Sequence, residues 1–258
     1  SYTASSGTSN DYFLIETWWG EYADITAKVT APGGLYYIRT VGLEGTRTTT
    51  EGTITIINKT DSDHSNGDLR TYIEVFDNDA DSIPSVGNWT IELTNNSESS
   101  QTYHAWLFST TFSATVSGGD NNYTVAAPGN ASSAITVGAY SARWKWYSTA
   151  GGAGFSGTNL SDDLAYFSSL GPTRSGSQKP DICTPGRGLI STTATGYTPV
   201  SGKAIVTNTY HITEGTSGAS GTMSGAVALI LDYNSSLSAS SVKSLITDNA
   251  DSDSYTGT

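Results

Sequence analysis

The sequence has little positive charge, one cysteine and no long apolar run. Twelve Lys and Arg stand against 24 Asp and Glu, a formal net charge of −12, so its surface repels phosphate backbones and anionic membranes. This balance argues against nucleic acid as a partner. The lone Cys183 excludes an internal disulfide and a cysteine-ligated metal cluster. We find neither a run of about 18 apolar residues that could span a membrane nor a charged-then-apolar leader.

The first part of the chain reads as short strands separated by turn residues. In residues 24–30, for example, Ile25, Ala27 and Val29 alternate with polar residues and therefore share one face of a pleat. Seven such segments predict an antiparallel β-sandwich or jelly roll. They are residues 12–19, 24–30, 35–41, 53–58, 69–76, 88–93 and 102–108.

The second part of the chain predicts an α/β layer. A polar stretch over residues 109–133 is taken as the junction, and we place the domains at 1–115 and 116–258. An apolar strand follows at 134–139, and two helices are predicted, one over 216–231 and one from an N-cap at Ser238 or Ser240 toward Ala250. The first helix carries Gly or Ala beside its apolar face, so we expect it to be buried nearly all round.

Ser217 is the candidate nucleophile. It lies at the predicted start of the first helix, where free backbone N–H groups and the positive end of the helix dipole favour a developing oxyanion. Taken alone, the pattern also fits a serine that simply caps a buried helix. The segments around it decide between the two readings.

Residues 215–220, Gly-Thr-Ser-Gly-Ala-Ser, resemble the Gly-Thr-Ser-x-Ala-Ser segment of the subtilisin-like serine proteases, the subtilases. Further segments agree with that family in order and spacing, and together they cover roughly residues 126–250. They are Phe-Ser-Ser-Leu-Gly-Pro-Thr at 167–173, Lys-Pro-Asp-Ile at 179–182, Pro-Gly at 185–186 and Ile-Ser-Thr at 190–192.

The resemblance implies a serine endopeptidase that hydrolyses peptide bonds through an acyl-enzyme on Ser217. The family's catalytic His, Asp and oxyanion Asn segments precede the strand at 134–139, and we find none of them in this chain. His64, His104 and His211 lie in a turn or on strands, so we assign no base. The Asn of Pro128-Gly129-Asn130 falls in the wrong segment and is not assigned either.

The resemblance also gives the first 115 residues a place, because some bacterial subtilases carry a β-sandwich or jelly-roll insertion before that strand. We therefore expect a C-terminal portion of a secreted or cell-envelope bacterial peptidase, whose partners are its peptide substrate and the upstream remainder of the domain. The isolated chain is expected to be inactive. The alternative is a catalytically inactive subtilase-like protein whose sandwich is a binding or scaffolding module. A third hypothesis is that the sandwich binds glycans, although aromatic residues on alternating strands more often form the core. The aromatic residues concerned are Trp18, Trp19, Tyr36, Tyr37, Trp89 and Trp106.

Two departures from the family pattern concern the pocket. Gly218 stands where the family usually has Met, and Gly221-Thr222 stands where it commonly has Pro-His. No cofactor is required by the implied chemistry. Clusters of acidic residues most often make turns, but their oxygens also suit a structural calcium ion. The candidate ligands are Asp77, Asp79 and Asp81.

Overall fold

The protein is described here from a computed structural model, which covers residues 11–60, 67–77, 84–109, 114–155, 161–206 and 209–252. The chain divides into two compact units, Ser1–Asp120 and Asn121–Thr258. Among the described residues of the first unit, strands are the only regular secondary structure. Both helices lie in the second unit, which also contains Ser217.

The first unit consists of two antiparallel sheets. One has the strand order β4-β5-β6-β1-β8 and the other the order β3-β2-β7. The strands are β1 (Asp11–Trp19), β2 (Ile25–Thr30), β3 (Tyr36–Arg39), β4 (Leu43–Thr49), β5 (Gly52–Thr60), β6 (Leu69–Asp77), β7 (Thr90–Asn95) and β8 (Tyr103–Ser109).

The two sheets bury one shared core. Ile54 and Ile56 of β5 and Ile73 of β6 pack in one cluster with Ala27 and Val29 of β2, all of them fully buried. Alternation along the strands produces this face, as the sequence predicts, and all seven predicted strands are present. The eighth strand, β4, was not predicted because most of its residues are exposed and it carries no apolar alternation.

The aromatic side chains of this unit do not share one face. Trp19 and Tyr37 are buried in the core, and Trp89 packs against it. Trp18 and Trp106 are half-buried instead. Core packing, the interpretation favoured from the sequence, therefore accounts for Trp19, Tyr37 and Trp89 but not for Trp18 and Trp106.

The second unit is built on a four-stranded sheet of order β13-β14-β12-β9, in which β9 runs parallel to β12 and β14 antiparallel to it. A hairpin of β10 and β11 lies outside that sheet. The elements are β9 (Val137–Ser141), β10 (Lys145–Ser148), β11 (Gly151–Gly154), β12 (Ile182–Thr192), β13 (Ala204–Ile205), β14 (Tyr210–Glu214), α1 (Thr216–Tyr233) and α2 (Ala239–Asp248).

Helix α1 packs closely against β9 and β12 because the contact residues are small. A Cβ atom placed on Gly186 of β12 would lie 2.4 Å from Cβ of Ala139 and 3.1 Å from Cβ of Ala219. Those two alanines are fully buried in one cluster. Thr184 Oγ1 also donates a buried hydrogen bond of 2.8 Å to the Ala219 carbonyl. The start of α1 is thereby held against the sheet.

The opposite face of α1 is exposed, which contradicts the expected all-round burial. Among its 18 residues only Ala219 and Met223 are buried, whereas Leu229 is 73% and Tyr233 is 94% exposed. The prediction was wrong because the pattern of apolar and small residues predicts a helix that needs cover but does not say which polypeptide covers it. The described residues cover α1 on one side only.

Helix α2 begins as predicted at Ser238, whose side chain accepts a 3.1 Å hydrogen bond from the Ser241 N–H. Its Val242 is buried. Neither of the described helices has the length and hydropathy required to cross a bilayer.

Candidate active site

A sharp strand-to-helix turn carries Ser217. Strand β14 ends at Glu214, Gly215 follows with φ 145° and ψ 149°, and α1 begins at Thr216. Only glycine adopts this backbone region without strain, so the turn requires Gly215. The Gly215 N–H donates to the Gly186 carbonyl at 2.8 Å, which ties the turn to β12.

The side chain of Ser217 is exposed at this turn. Within the described part of the chain its hydroxyl has no hydrogen-bond partner, and its backbone N–H donates to no acceptor. The next two N–H groups, of Gly218 and Ala219, both point to the Gly215 carbonyl, at 3.0 and 3.4 Å. An accessible hydroxyl beside a free N–H at a helix N-terminus has the geometry that a nucleophile and an oxyanion donor need.

A cavity of about 350 Å³ opens beside the serine. Its lining has no charged side chain, and comes from the start of α1 on one side and from the loop leading into β9 on the other. The lining residues are Pro128, Gly129, Ala134, Ile135, Thr136, Val137, Thr216, Ser217 and Ser220. Asn130, which the sequence analysis left unassigned, is exposed and does not line it.

Comparison with protein families decides the classification. The model of the family described as "Subtilase family" matches residues 83–258, more than half of the chain. The chain belongs to the subtilase family. The resemblance read from the sequence is thereby confirmed. The match begins inside the first unit, so its boundary does not coincide with the division between the units.

Two known bacterial proteases are similar to this chain. Serine protease AprX of Bacillus subtilis (strain 168) is 34% identical over 137 residues, which are 52% of this chain and 28% of that protein. The structure of the Clostridium perfringens CspB protease superposes with a TM-score of 0.62 and 18% identity, over 90% of this chain and 43% of that chain. At that identity the second likeness is one of fold. The chain thus spans less than half the length of either relative.

The subtilase departure at Gly218 has a packing partner. A Cβ atom on Gly218 would lie 2.6 Å from Cδ1 of Leu189, so the leucine occupies the space that a larger residue after the serine would fill. At Gly221 and at Gly225, by contrast, nothing lies within 4 Å of an added Cβ. At Gly218 the Leu189 side chain therefore takes the space of the absent side chain, whereas Gly221 faces open space.

No described histidine approaches Ser217 as a hydrogen-bond partner. His211 on β14 places Nδ1 3.3 Å from Thr193 Oγ1 and its ring 5.6 Å from that of Tyr197. His104 lies in the first unit, where its ring stacks on Trp106 at 6.0 Å. His64 lies outside the described residues. The described part of this subtilase chain therefore presents the serine without a base.

A buried charge network holds the cavity wall opposite α1. Lys179 is 2% exposed and donates to Asp181 at 2.7 Å and to the Ala134 carbonyl at 2.8 Å. Lys243 of α2 binds the second oxygen of Asp181 at 2.8 Å. Thr136, which lines the cavity, donates its N–H to the same carboxylate at 2.7 Å. The Lys-Pro-Asp segment is visible in the sequence, whereas its link to α2 depends on the fold.

The pKa of Asp181 reflects this surrounding. Burial alone raises the pKa of the carboxyl, but hydrogen bonds from Lys179, Lys243 and the Thr136 N–H, together with the Lys179 charge, outweigh it. The pKa consequently lies below its ordinary value, and the carboxylate stays ionised into acid.

The calcium hypothesis gains no support from the described residues, among which no three His, Cys, Asp or Glu side chains cluster as metal ligands. Asp77 ends β6. Asp79 and Asp81 lie outside the described residues.

Proposed function

We propose that this chain is the nucleophile-bearing part of a subtilase that acts as a serine endopeptidase, with peptides or proteins as substrates. Ser217 attacks the scissile carbonyl, and its N–H donates to the oxyanion. The observation that carries the proposal is the exposed, unpartnered hydroxyl at the start of α1 in a chain of the subtilase family. By resemblance the parent protein is secreted or held in the cell envelope of a bacterium.

The remaining catalytic groups are proposed to come from polypeptide upstream of the sequence given. The family's His acts as general base, its Asp orients the His, and an Asn completes the oxyanion hole. The outer face of α1 supports this proposal. Charge is absent from α1 until Asp232, yet most of the helix is exposed, and helices of that composition are normally covered on all sides. The upstream segment is the proposed cover.

The first 115 residues are proposed to be a sandwich insertion of jelly-roll type, and residues 116–258 the C-terminal part of the peptidase domain. The shared core of the two sheets supports a unit that is stabilised by its own packing. The alternative function, an inactive subtilase-like protein whose sandwich binds or scaffolds, rests on the same unit.

Active-site labelling tests the proposal. The parent protein, including its upstream sequence, is treated with a fluorophosphonate probe as wild type, as Ser217→Ala and as Ser244→Ala, an exposed serine of α2 that serves as control. Wild type and the control should be labelled, and Ser217→Ala should not. A folded wild type that takes no label, with the upstream His or Asp replaced, would favour the inactive alternative.

The 258-residue chain alone should neither take the label rapidly nor cleave peptides, because a serine without its base retains little of the catalysed rate. Ser217-dependent cleavage by the purified chain would contradict the proposed division of the catalytic groups.

A further inference from the structure

Arg187 is a buried cation beside the turn that carries Ser217. It lies on β12 directly opposite Glu214, the last residue of β14, and its side chain is 5% exposed. A guanidinium at that depth requires a partner, because a buried charge without one loses its hydration and gains nothing in exchange. Its Nε donates to Oε2 of Glu214 at 3.3 Å.

Aromatic rings hold the guanidinium from other directions. Its Cζ lies 4.3 Å from the ring centroid of Phe155 and 5.2 Å from that of Tyr166. Both distances are within the range of cation–π attraction. These contacts constrain the position of the Arg187 guanidinium, so Glu214 pairs with a cation that has little freedom to move.

A second cation engages the other oxygen of Glu214. Lys203 places Nζ 3.4 Å from Oε1 and lies 5.6 Å from the Phe155 ring. Each carboxylate oxygen of Glu214, three residues before Ser217, therefore faces a cation. Gly215 lies between Glu214 and Ser217. Its φ of 145° is accessible because glycine has no Cβ, and the same property leaves its backbone free to adopt other conformations. The covalent chain alone does not fix the direction in which α1 leaves the turn.

We propose that Glu214 is a positioning residue for Ser217, anchored by Arg187 and Lys203. The ion pair on one side of Gly215 and the bond from the Gly215 N–H to Gly186 together set the orientation of the first turn of α1. The serine hydroxyl and N–H are thereby presented in one geometry to the groups that complete the site. This inference rests on the proposed peptidase function.

The test uses the parent protein as wild type, Glu214→Gln and Glu92→Gln, whose carboxylate pairs with Lys28 at 2.6 Å on the first unit and serves as matched control. We expect Glu214→Gln to slow fluorophosphonate labelling and to lower kcat by about ten- to a hundredfold, the usual result of a small misplacement, with KM nearly unchanged. The control should match wild type in labelling rate, kcat and KM.

A double variant separates positioning from folding. Arg187→Met with Glu214→Gln removes the buried charge together with its partner, so stability should stay near wild type while labelling remains slow. Wild-type labelling by the folded double variant would overturn the proposal. So would a loss in Glu214→Gln that only matches its loss of folded protein.

Amide hydrogen exchange gives a readout without catalysis. In the 258-residue chain, Glu214→Gln should speed exchange at Gly218 and Ala219, whose N–H groups bind the Gly215 carbonyl, and leave α2 unchanged. Unchanged exchange at both amides would overturn the proposal. If wild-type parent protein takes no label, the peptidase function fails, and the exchange result still decides whether Glu214 positions the turn.

Discussion

Replacing Gly186 by Ala should destabilise the second unit by about 2 kcal/mol. The new Cβ would lie 2.4 Å from Cβ of Ala139 and 3.1 Å from Cβ of Ala219, whereas carbon atoms in contact prefer about 3.5–4.0 Å. An alanine side chain has no χ torsion whose rotation could relieve the contact, so β9 and α1 must move away from Gly186. Because the 2.4 Å approach is so close, the cost lies at the upper end of the about 1–3 kcal/mol typical of overpacking, and the stiffer unfolded chain offsets about 0.4–1 kcal/mol of it.

Urea unfolding followed by the helical circular dichroism signal measures this cost. Both described helices belong to the second unit, so the signal reports on that unit. With a slope of about 1–3 kcal/mol per molar urea, the midpoint should fall by about 1 M. The control is Gly152→Ala on β11, where nothing lies within 4 Å of the added atom. Its midpoint should stay close to that of wild type.

The double variant Gly186→Ala with Ala139→Gly identifies the contact. It removes the 2.4 Å approach and leaves the 3.1 Å approach to Ala219, so it should recover more of the midpoint than the two single effects predict. A wild-type midpoint for Gly186→Ala, or strict additivity in the double variant, would refute this account of how α1 packs on the sheet.

Three further predictions concern the helices and the buried network. Gly221→Ala should stabilise the chain by up to about 1 kcal/mol in urea, because the site is open, yet lower peptidase activity of the parent protein if upstream polypeptide packs there. Ser238→Ala should cost about 1 kcal/mol in the same assay through loss of the cap. Asp181→Asn should cost about 3–5 kcal/mol at neutral pH, and Lys179→Met clearly less, because Lys243 still pairs with Asp181. Since the folded-state pKa of Asp181 is lowered, its contribution is complete above the unfolded-state value of about 3.9 and is lost as pH falls through the folded-state pKa, so the midpoint gap between wild type and Asp181→Asn should close in acid.

Local pattern predicted both helices and seven of the eight strands described in the first unit, but few of the strands in the second unit. The alternation of Ile25, Ala27 and Val29 gave the buried face of β2, and the cap at Ser238 gave the start of α2. The edge strand β4 was not predicted because Leu43 is 54% exposed and the strand has no apolar face. Where burial creates the pattern the sequence predicts the element, and where a strand forms only by backbone pairing it does not.

Contacts between distant segments were beyond the sequence. The position of Ser217 at the start of α1 follows from the local motif. The pairing of Arg187 with Glu214 depends instead on the register of β12 with β14, and that register follows a bulge between Arg187 and Leu189. A motif therefore located the candidate nucleophile, whereas the side chains that hold its turn required the fold.

The exposed face of α1 links stability to activity under the proposed function. Each large apolar side chain that a covering segment removes from water stabilises the assembly by about 1.5–3 kcal/mol, and Leu229 is available for such burial. Because the same segment is proposed to bring the base, Ser217 gains its proton acceptor only when that segment covers the exposed face of α1. Under this proposal the covering of α1 and the delivery of the base are one step, and the separated chain is expected to be inactive because both are absent from it.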